Sequence, residues 1–250
     1  MKLGTVVVER RFLGPPNSAN GGYACGRIAA YVDGPAEVTL RKPPPLDTEL
    51  EVRDEDEDGV VSLRRGDVLI GSGRPAAVDA PRLAAPDRDT AALAARRTFD
   101  VSRHPLPTCF VCGPHREPGD GLRIHVGPVD ADDAEWRGVL AAPWTPDDSL
   151  ADSRGRVRPE FVWAALDCPT AYASSSAAGM RIILLGRQAV EIFGRPRAGE
   201  TCVVAAREVS RDGRKYFAEA ALFGRDGDRL ANCQATWIEV SPEVQKGVEA

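Results

Sequence analysis

Residues 20–71, NGGYACGRIAAYVDGPAEVTLRKPPPLDTELEVRDEDEDGVVSLRRGDVLIG, set one short helix ahead of a run of strands. Asn20-Gly21-Gly22 is a helix entry, with Asn as the N-cap and glycines for a tight turn. Gly22 to Tyr31 reads as the helix, and Gly34-Pro35 stops it. Ala36 to Arg41 alternates apolar and polar residues, Pro43-Pro44-Pro45 breaks the pattern, and Thr48 to Arg53 alternates again. Val60 to Arg64 then pairs through Arg65-Gly66-Asp67 with Val68 to Gly71 as a hairpin.

The same order recurs further along the chain. Leu122 to Val126 and Glu135 to Leu140 read as strands, Pro159 to Tyr172 as a helix, and Met180 to Phe193 as one bent strand or two short ones. Thr201 to Val209 and a hairpin over Lys215 to Val240, turning at Arg225-Asp226-Gly227-Asp228, complete the set. Pro45 to Val52 and Pro196 to Val204 share a breaker, an acidic turn and a β run, so a tandem duplication is the economical account. Between the copies, Ala76 to Pro107 is rich in Ala, Pro, Arg and Asp, with one short helix over Thr90 to Arg97, and reads as a linker. The expected division is a repeat over 1–80, a linker over 81–108, a repeat over 109–240 and a tail over 241–250.

A helix followed by about four antiparallel strands buries both the helix and one sheet face only if the sheet curls around the helix. That is the hotdog arrangement. The expected class is therefore α+β, a double hotdog whose two sheets pair inside one chain. An ordinary α+β sandwich is the alternative.

The chain has 250 residues, is 43% hydrophobic and 28% charged, and carries a net charge of -5, the profile of a globular protein. Its acidic balance argues against a nucleic-acid partner, which calls for a basic footprint. No apolar run approaches the roughly 18 residues of a membrane span, and Glu9, Arg10 and Arg11 interrupt the N-terminus, so no membrane partner and a cytoplasmic location are expected. The six cysteines are scattered apart from Cys109 and Cys112 and read as reduced thiols.

Cys109-Phe110-Val111-Cys112-Gly113-Pro114, followed by Gly121-Leu122-Arg123-Ile124, resembles the opening of hotdog thioesterases of the phenylacetate-pathway type. Those proteins place a His-Gly-Gly turn before the central helix and an acidic residue eight positions after its first glycine. Asp167 stands at that acidic position, and counting back eight reaches Pro159, which has no N–H to donate. Counting forward eight from Gly21 reaches Ala29, which has no carboxyl. Each half lacks what the other keeps. The resemblance thus implies one composite site, with Asn20, Gly21 and the first helix N-terminus polarising a thioester carbonyl and Asp167 acting as base or nucleophile. Thr170 is expected to help hold the attacking water, and Gly22 and Trp163 to contact substrate. The implied partner is an acyl-CoA or other acyl thioester, with coenzyme A as part of the substrate and no further cofactor. A homodimer of double hotdogs is the implied assembly.

Two other readings stand beside this one. A non-catalytic acyl-CoA-binding or regulatory module fits the missing histidine and Pro159. An acyl-thioester hydratase or dehydratase would need His125, five residues after Asp120, as half of an acid/base pair; the Asn-Pro of that signature is absent, and the spacing reads as coincidence. His104, Cys109, Cys112 and His115 form a Cys/His cluster of zinc-binding type. The family opening already accounts for the two cysteines, so no metal is expected there. Asp167 and Pro169 stand close together, and Pro169 is expected to kink or end the second helix.

Overall fold

Strands with one apolar face need something to bury it against, and here that partner is a pair of helices from the two halves of the chain. The computed structural model describes residues 1–55, 58–79, 81, 83–98, 100, 104–130, 136–176 and 182–240, without the side chains of 175 and 176. The first half runs β1 (Lys2–Val7), a single 3-10 turn, α1 (Gly21–Ala29), β2 (Ala36–Leu40), β3 (Glu49–Asp54), β4 (Val61–Arg65) and β5 (Val68–Pro75). A short helix, α2 (Arg88–Ala95), follows. The second half runs β6 (Gly127–Pro128), β7 (Leu140–Trp144), α3 (Pro159–Ser176), β8 (Ile183–Ile192), β9 (Cys202–Asp212), β10 (Lys215–Phe223) and β11 (Arg229–Glu239).

These strands form one 11-stranded sheet in the order β1-β3-β4-β5-β2-β8-β11-β10-β9-β7-β6. Every pairing is antiparallel. The first-half order, β1-β3-β4-β5-β2, is repeated as β7-β9-β10-β11-β8 with β6 added at the far edge. In each set a helix lies in the chain between the first and second strands. The halves join where β2 pairs with β8, with Ala36 opposite Val190 and Thr39 opposite Arg187.

Most strand positions match the sequence reading to within a few residues; three features differ. β1 was not anticipated, because Lys2–Val7 has little alternation and its outer positions are exposed. Leu122 to Val126 is not a strand: Leu122, Ile124 and Val126 alternate inward, but Arg123 has φ 54 and the segment lies outside the ladder. The strand expected over Glu135 to Leu140 falls later, at Leu140–Trp144, and Glu135 lies outside the described residues. The expected linker also does more than connect. Leu83, Ala91 and Ala94 from the α2 region pack with Val139, Val203 and Phe223 as a second apolar cluster. The expected tail, 241–250, lies outside the described residues.

α3 is buried on all sides from Phe161 to Thr170, as a helix with apolar residues all round must be. Proline at its first position fits, since that N–H has no partner inside the helix. Pro169 neither ends nor breaks it; the helix runs on to Ser176, because packing around the helix outweighs the one hydrogen bond a proline removes.

α1 crosses α3 at close range, and glycine makes this approach feasible. A Cβ on Gly22 would lie 2.5 Å from Asp167 Cβ and 2.8 Å from the Trp163 carbonyl. One turn on, a Cβ on Gly26 would lie 2.6 Å from Glu160 Cα. Positions i and i+4 share a helix face, so the two glycines form one flat strip against α3. Beside this strip Phe12 and Tyr23 stack at 4.1 Å, and Phe110 and Phe161 from the other half close on them. Each such ring contributes about 1.5–3 kcal/mol of burial, so the join between the halves is part of the main core.

Candidate functional site

The close crossing brings the N-terminus of α1 to the side of α3 that carries Asp167. Asn20 caps α1, its Oδ1 accepting from the Tyr23 N–H at 2.9 Å. That bond fixes the amide's orientation and turns Nδ2 the other way, where it donates to Asp167 Oδ2 at 2.6 Å. The cap residue of one half therefore orients the carboxylate of the other.

Asp167 is 2% exposed. Burial raises its pKa to about 7, a nearby Cys109 charge adds to the rise, and the Gly22 N–H and Asn20 oppose it by favouring the carboxylate. Oδ1 has no hydrogen-bond partner. An unpartnered, buried carboxyl oxygen is costly for folding alone, and such groups concentrate where chemistry is done.

Asp167, Asn20 and Gly21 all line one cavity of about 600 Å³. Leu184, Leu185 and Ile238 give it apolar wall, and the exposed Arg41 and Lys42 also line it. Its residues come from both halves of the chain. Gly21 presents bare backbone there; a Cβ would meet Leu185 at 2.9 Å. The first N–H groups of a helix have no partner within it and, with the helix dipole, favour negative charge at this end. The site thus pairs an anion-stabilising helix end with a carboxyl group beside an apolar chamber.

Three expected site residues lie elsewhere. Thr170 is fully buried, its Oγ1 donating to the Asp167 carbonyl at 2.7 Å and accepting from Trp237 Nε1 at 2.9 Å. Both bonds tie it into the core, and it does not line the cavity. Gly22 and Trp163 are also absent from the cavity wall: Gly22 is the contact under Asp167, and Trp163 packs on Gly26 while its carbonyl accepts from Gln188 Nε2 at 3.1 Å. They shape the helix crossing and lie outside the cavity wall. His125 and Asp120 are likewise apart from the cavity; His125 Nε2 contacts the Cys112 carbonyl at 3.1 Å, and Asp120 pairs with Arg116 at 2.8 Å. The acid/base pair of a hydratase is not assembled.

The Cys/His cluster is rearranged. His115 is exposed, and His104 uses both ring nitrogens, Nδ1 accepting from the Leu106 N–H at 2.9 Å and Nε2 meeting Tyr172 Oη. Burial lowers the His104 pKa to about 4, so the ring is neutral at pH 7 and Nε2 carries the proton toward Tyr172. In place of the histidines, Cys168 joins Cys109 and Cys112, the three sulfurs lying within 4.8 Å of one another at the cavity wall. Cys168, Ala171 and Tyr172 line the cavity from one face of α3, at the i, i+3, i+4 spacing. That spacing was the signal in the sequence for Cys168 and Tyr172, which the sequence reading passed over.

No family model matches the chain, and no curated protein matches it by sequence. Solved structures do. The tesB protein of Mycobacterium avium subs paratuberculosis superposes over 96% of this chain and 96% of its own, at 15% identity and a TM-score of 0.58. An acyl-CoA thioesterase II, TesB2, from Mycobacterium marinum covers 96% of this chain and 93% of its own, at 11% identity and a TM-score of 0.60. At these identities the likeness is one of fold: an α+β chain with a large antiparallel sheet and few helices, similar to hotdog thioesterases.

Proposed function

We propose that the chain is a double hotdog and that it hydrolyses an acyl-CoA, or a related acyl thioester, at one composite site between its two repeats. The observation that carries this reading is the meeting of the α1 N-terminus from one half with the Asp167 carboxyl from the other at one cavity. The mirrored strand order and the fold shared with thioesterase structures support it.

The acyl chain occupies the apolar chamber with its thioester carbonyl at Gly21. Asp167 takes a proton from a water molecule, whose oxygen attacks the carbonyl carbon. The α1 N-terminus stabilises the negative charge that collects on the carbonyl oxygen. Collapse of this intermediate breaks the carbon–sulfur bond; the proton held by Asp167 goes to the departing thiolate, leaving a carboxylic acid and free thiol. Arg41 and Lys42 suit the phosphates of coenzyme A.

A non-catalytic acyl-CoA-binding module is the second reading, favoured by one observation: Thr170, the hydroxyl nearest in sequence to the acid, is bonded away from the cavity. A panel of acyl-CoAs scored for both binding and thiol release separates the two. Thiol release lost in Asp167→Asn supports the enzyme, and binding without thiol release from any member supports the module.

A further inference from the structure

We propose that Cys109, Cys112 and Cys168 form a site for one thiophilic divalent cation of the zinc type, with its fourth coordination position open to the cavity. The inference stands independently of the acyl-thioester reading.

Geometry is the first support. Zinc–thiolate bonds of about 2.3 Å put the sulfurs of a tetrahedral site about 3.8 Å apart. Cys109 Sγ and Cys168 Sγ are 3.7 Å apart, and all three sulfurs lie within 4.8 Å of one another. A disulfide requires about 2.05 Å, so the two sulfurs are not bonded to each other, and their contact distance matches one edge of a tetrahedral thiolate site. They come from segments 59 residues apart in sequence, so nothing local accounts for their meeting.

The turn that carries two of them is the second support. In Cys109-Phe110-Val111-Cys112-Gly113, the Gly113 N–H donates to the Cys109 carbonyl at 2.9 Å. A Cβ on Gly113 would lie 2.5 Å from that carbonyl and 2.7 Å from the Pro107 carbonyl, so a turn this tight requires glycine.

Asp167 is the third support. All three cysteines line the cavity, so the vertex they leave free faces it. A metal-bound water there would meet the Asp167 side chain, whose Oδ2 is 3.9 Å from Cys168 Sγ and whose Oδ1 has no partner. Three protein ligands and one open position make a site able to take an exchangeable oxygen donor. The absence of metal expected from sequence rested on the family opening accounting for Cys109 and Cys112, with His104 and His115 as their possible partners; Cys168, which only the fold brings in, was not weighed.

The test uses the full chain, chelator-stripped and reduced without air, titrated with Co²⁺. The expected result is one equivalent bound, with a near-ultraviolet thiolate-to-cobalt charge-transfer band and the strong visible bands of tetrahedral cobalt, both abolished when Zn²⁺ displaces it. Removing even an outer partner of a metal ligand costs about 10–100-fold in affinity, so Cys168→Ala, which removes a ligand, should weaken binding by at least that much. Cys202→Ala, at a buried cysteine outside the cluster, should bind as the wild type does. Far-UV circular dichroism shows whether each variant folds; if Cys168→Ala does not, the wild-type titration decides alone. The proposal is overturned if reduced wild-type protein gives no charge-transfer band, if the band persists unweakened in folded Cys168→Ala, or if a Cys109–Cys168 disulfide forms in the presence of the metal.

Discussion

Replacing Asp167 by Asn should stabilise the protein while disabling it. The folded carboxyl has its pKa raised to about 7 against an ordinary value of 3.8, mainly by burial. Between those values the folded state holds a proton that the unfolded state has released, so stability falls as pH rises across this window. At about 1.4 kcal/mol per tenfold change in proton concentration, the loss reaches about 4 kcal/mol above pH 7, a large part of a typical domain's 5–15 kcal/mol. Asn cannot ionise and carries no such dependence. Urea unfolding of metal-free, reduced protein at pH 5 and pH 8 should therefore show the difference between variant and wild type moving in the variant's favour by about 3 kcal/mol. Thioester hydrolysis by the same variant should fall by about 10²-fold or more. Hydrolysis by the metal-free wild type should rise with pH through about 7 and then level, as Asp167 becomes able to accept a proton. If the two proteins' stabilities keep a constant difference from pH 5 to pH 8, the carboxyl is not held in the environment described here. If the variant hydrolyses at the wild-type rate, Asp167 is not the base.

Gly22→Ala forces a Cβ to 2.5 Å from Asp167 Cβ and should cost about 1–3 kcal/mol in urea unfolding through overpacking at the helix crossing. Arg41→Ala together with Lys42→Ala should raise KM for an acyl-CoA about tenfold or more, leave kcat unchanged, and have no effect on a truncated thioester without phosphates; an equal effect on both substrates would rule out phosphate contact. Thr170→Val should leave hydrolysis intact while lowering stability by about 1–3 kcal/mol, because Trp237 Nε1 loses its buried acceptor. A large fall in kcat with unchanged stability would restore Thr170 to the catalytic role expected from sequence.

Strand patterns in Glu49–Asp54 and Lys215–Glu239 were legible because period-2 alternation and turn residues are local properties. β1 and β7 were less so, the first for want of alternation and the second because Pro143 interrupts an alanine-rich strand. At the site, Asn20, Gly21 and Asp167 could be paired by counting from the helix starts, since each half shows what it lacks. Gly22, Trp163 and Thr170 lie outside the cavity wall because nearness in sequence to Asp167 does not say which face of a helix a side chain occupies. Cys168 was invisible as a partner of Cys109 for a different reason: contact across 59 residues is set by how α3 packs, and no spacing rule reaches that far.

The seam between β2 and β8 also bears on how such a site can evolve. Two identical subunits must carry the same residues at both of their equivalent positions, so a change that suits one is imposed on the other. Once the copies are joined in a single polypeptide, that coupling ends. On the double-hotdog reading proposed above, one helix start was free to become Pro159 and the opposite position Ala29, because the complementary pair survives elsewhere in the same molecule. The division of labour is then hard to reverse: neither half, released as an independent gene, would inherit both the cap amide of Asn20 and the acid it orients.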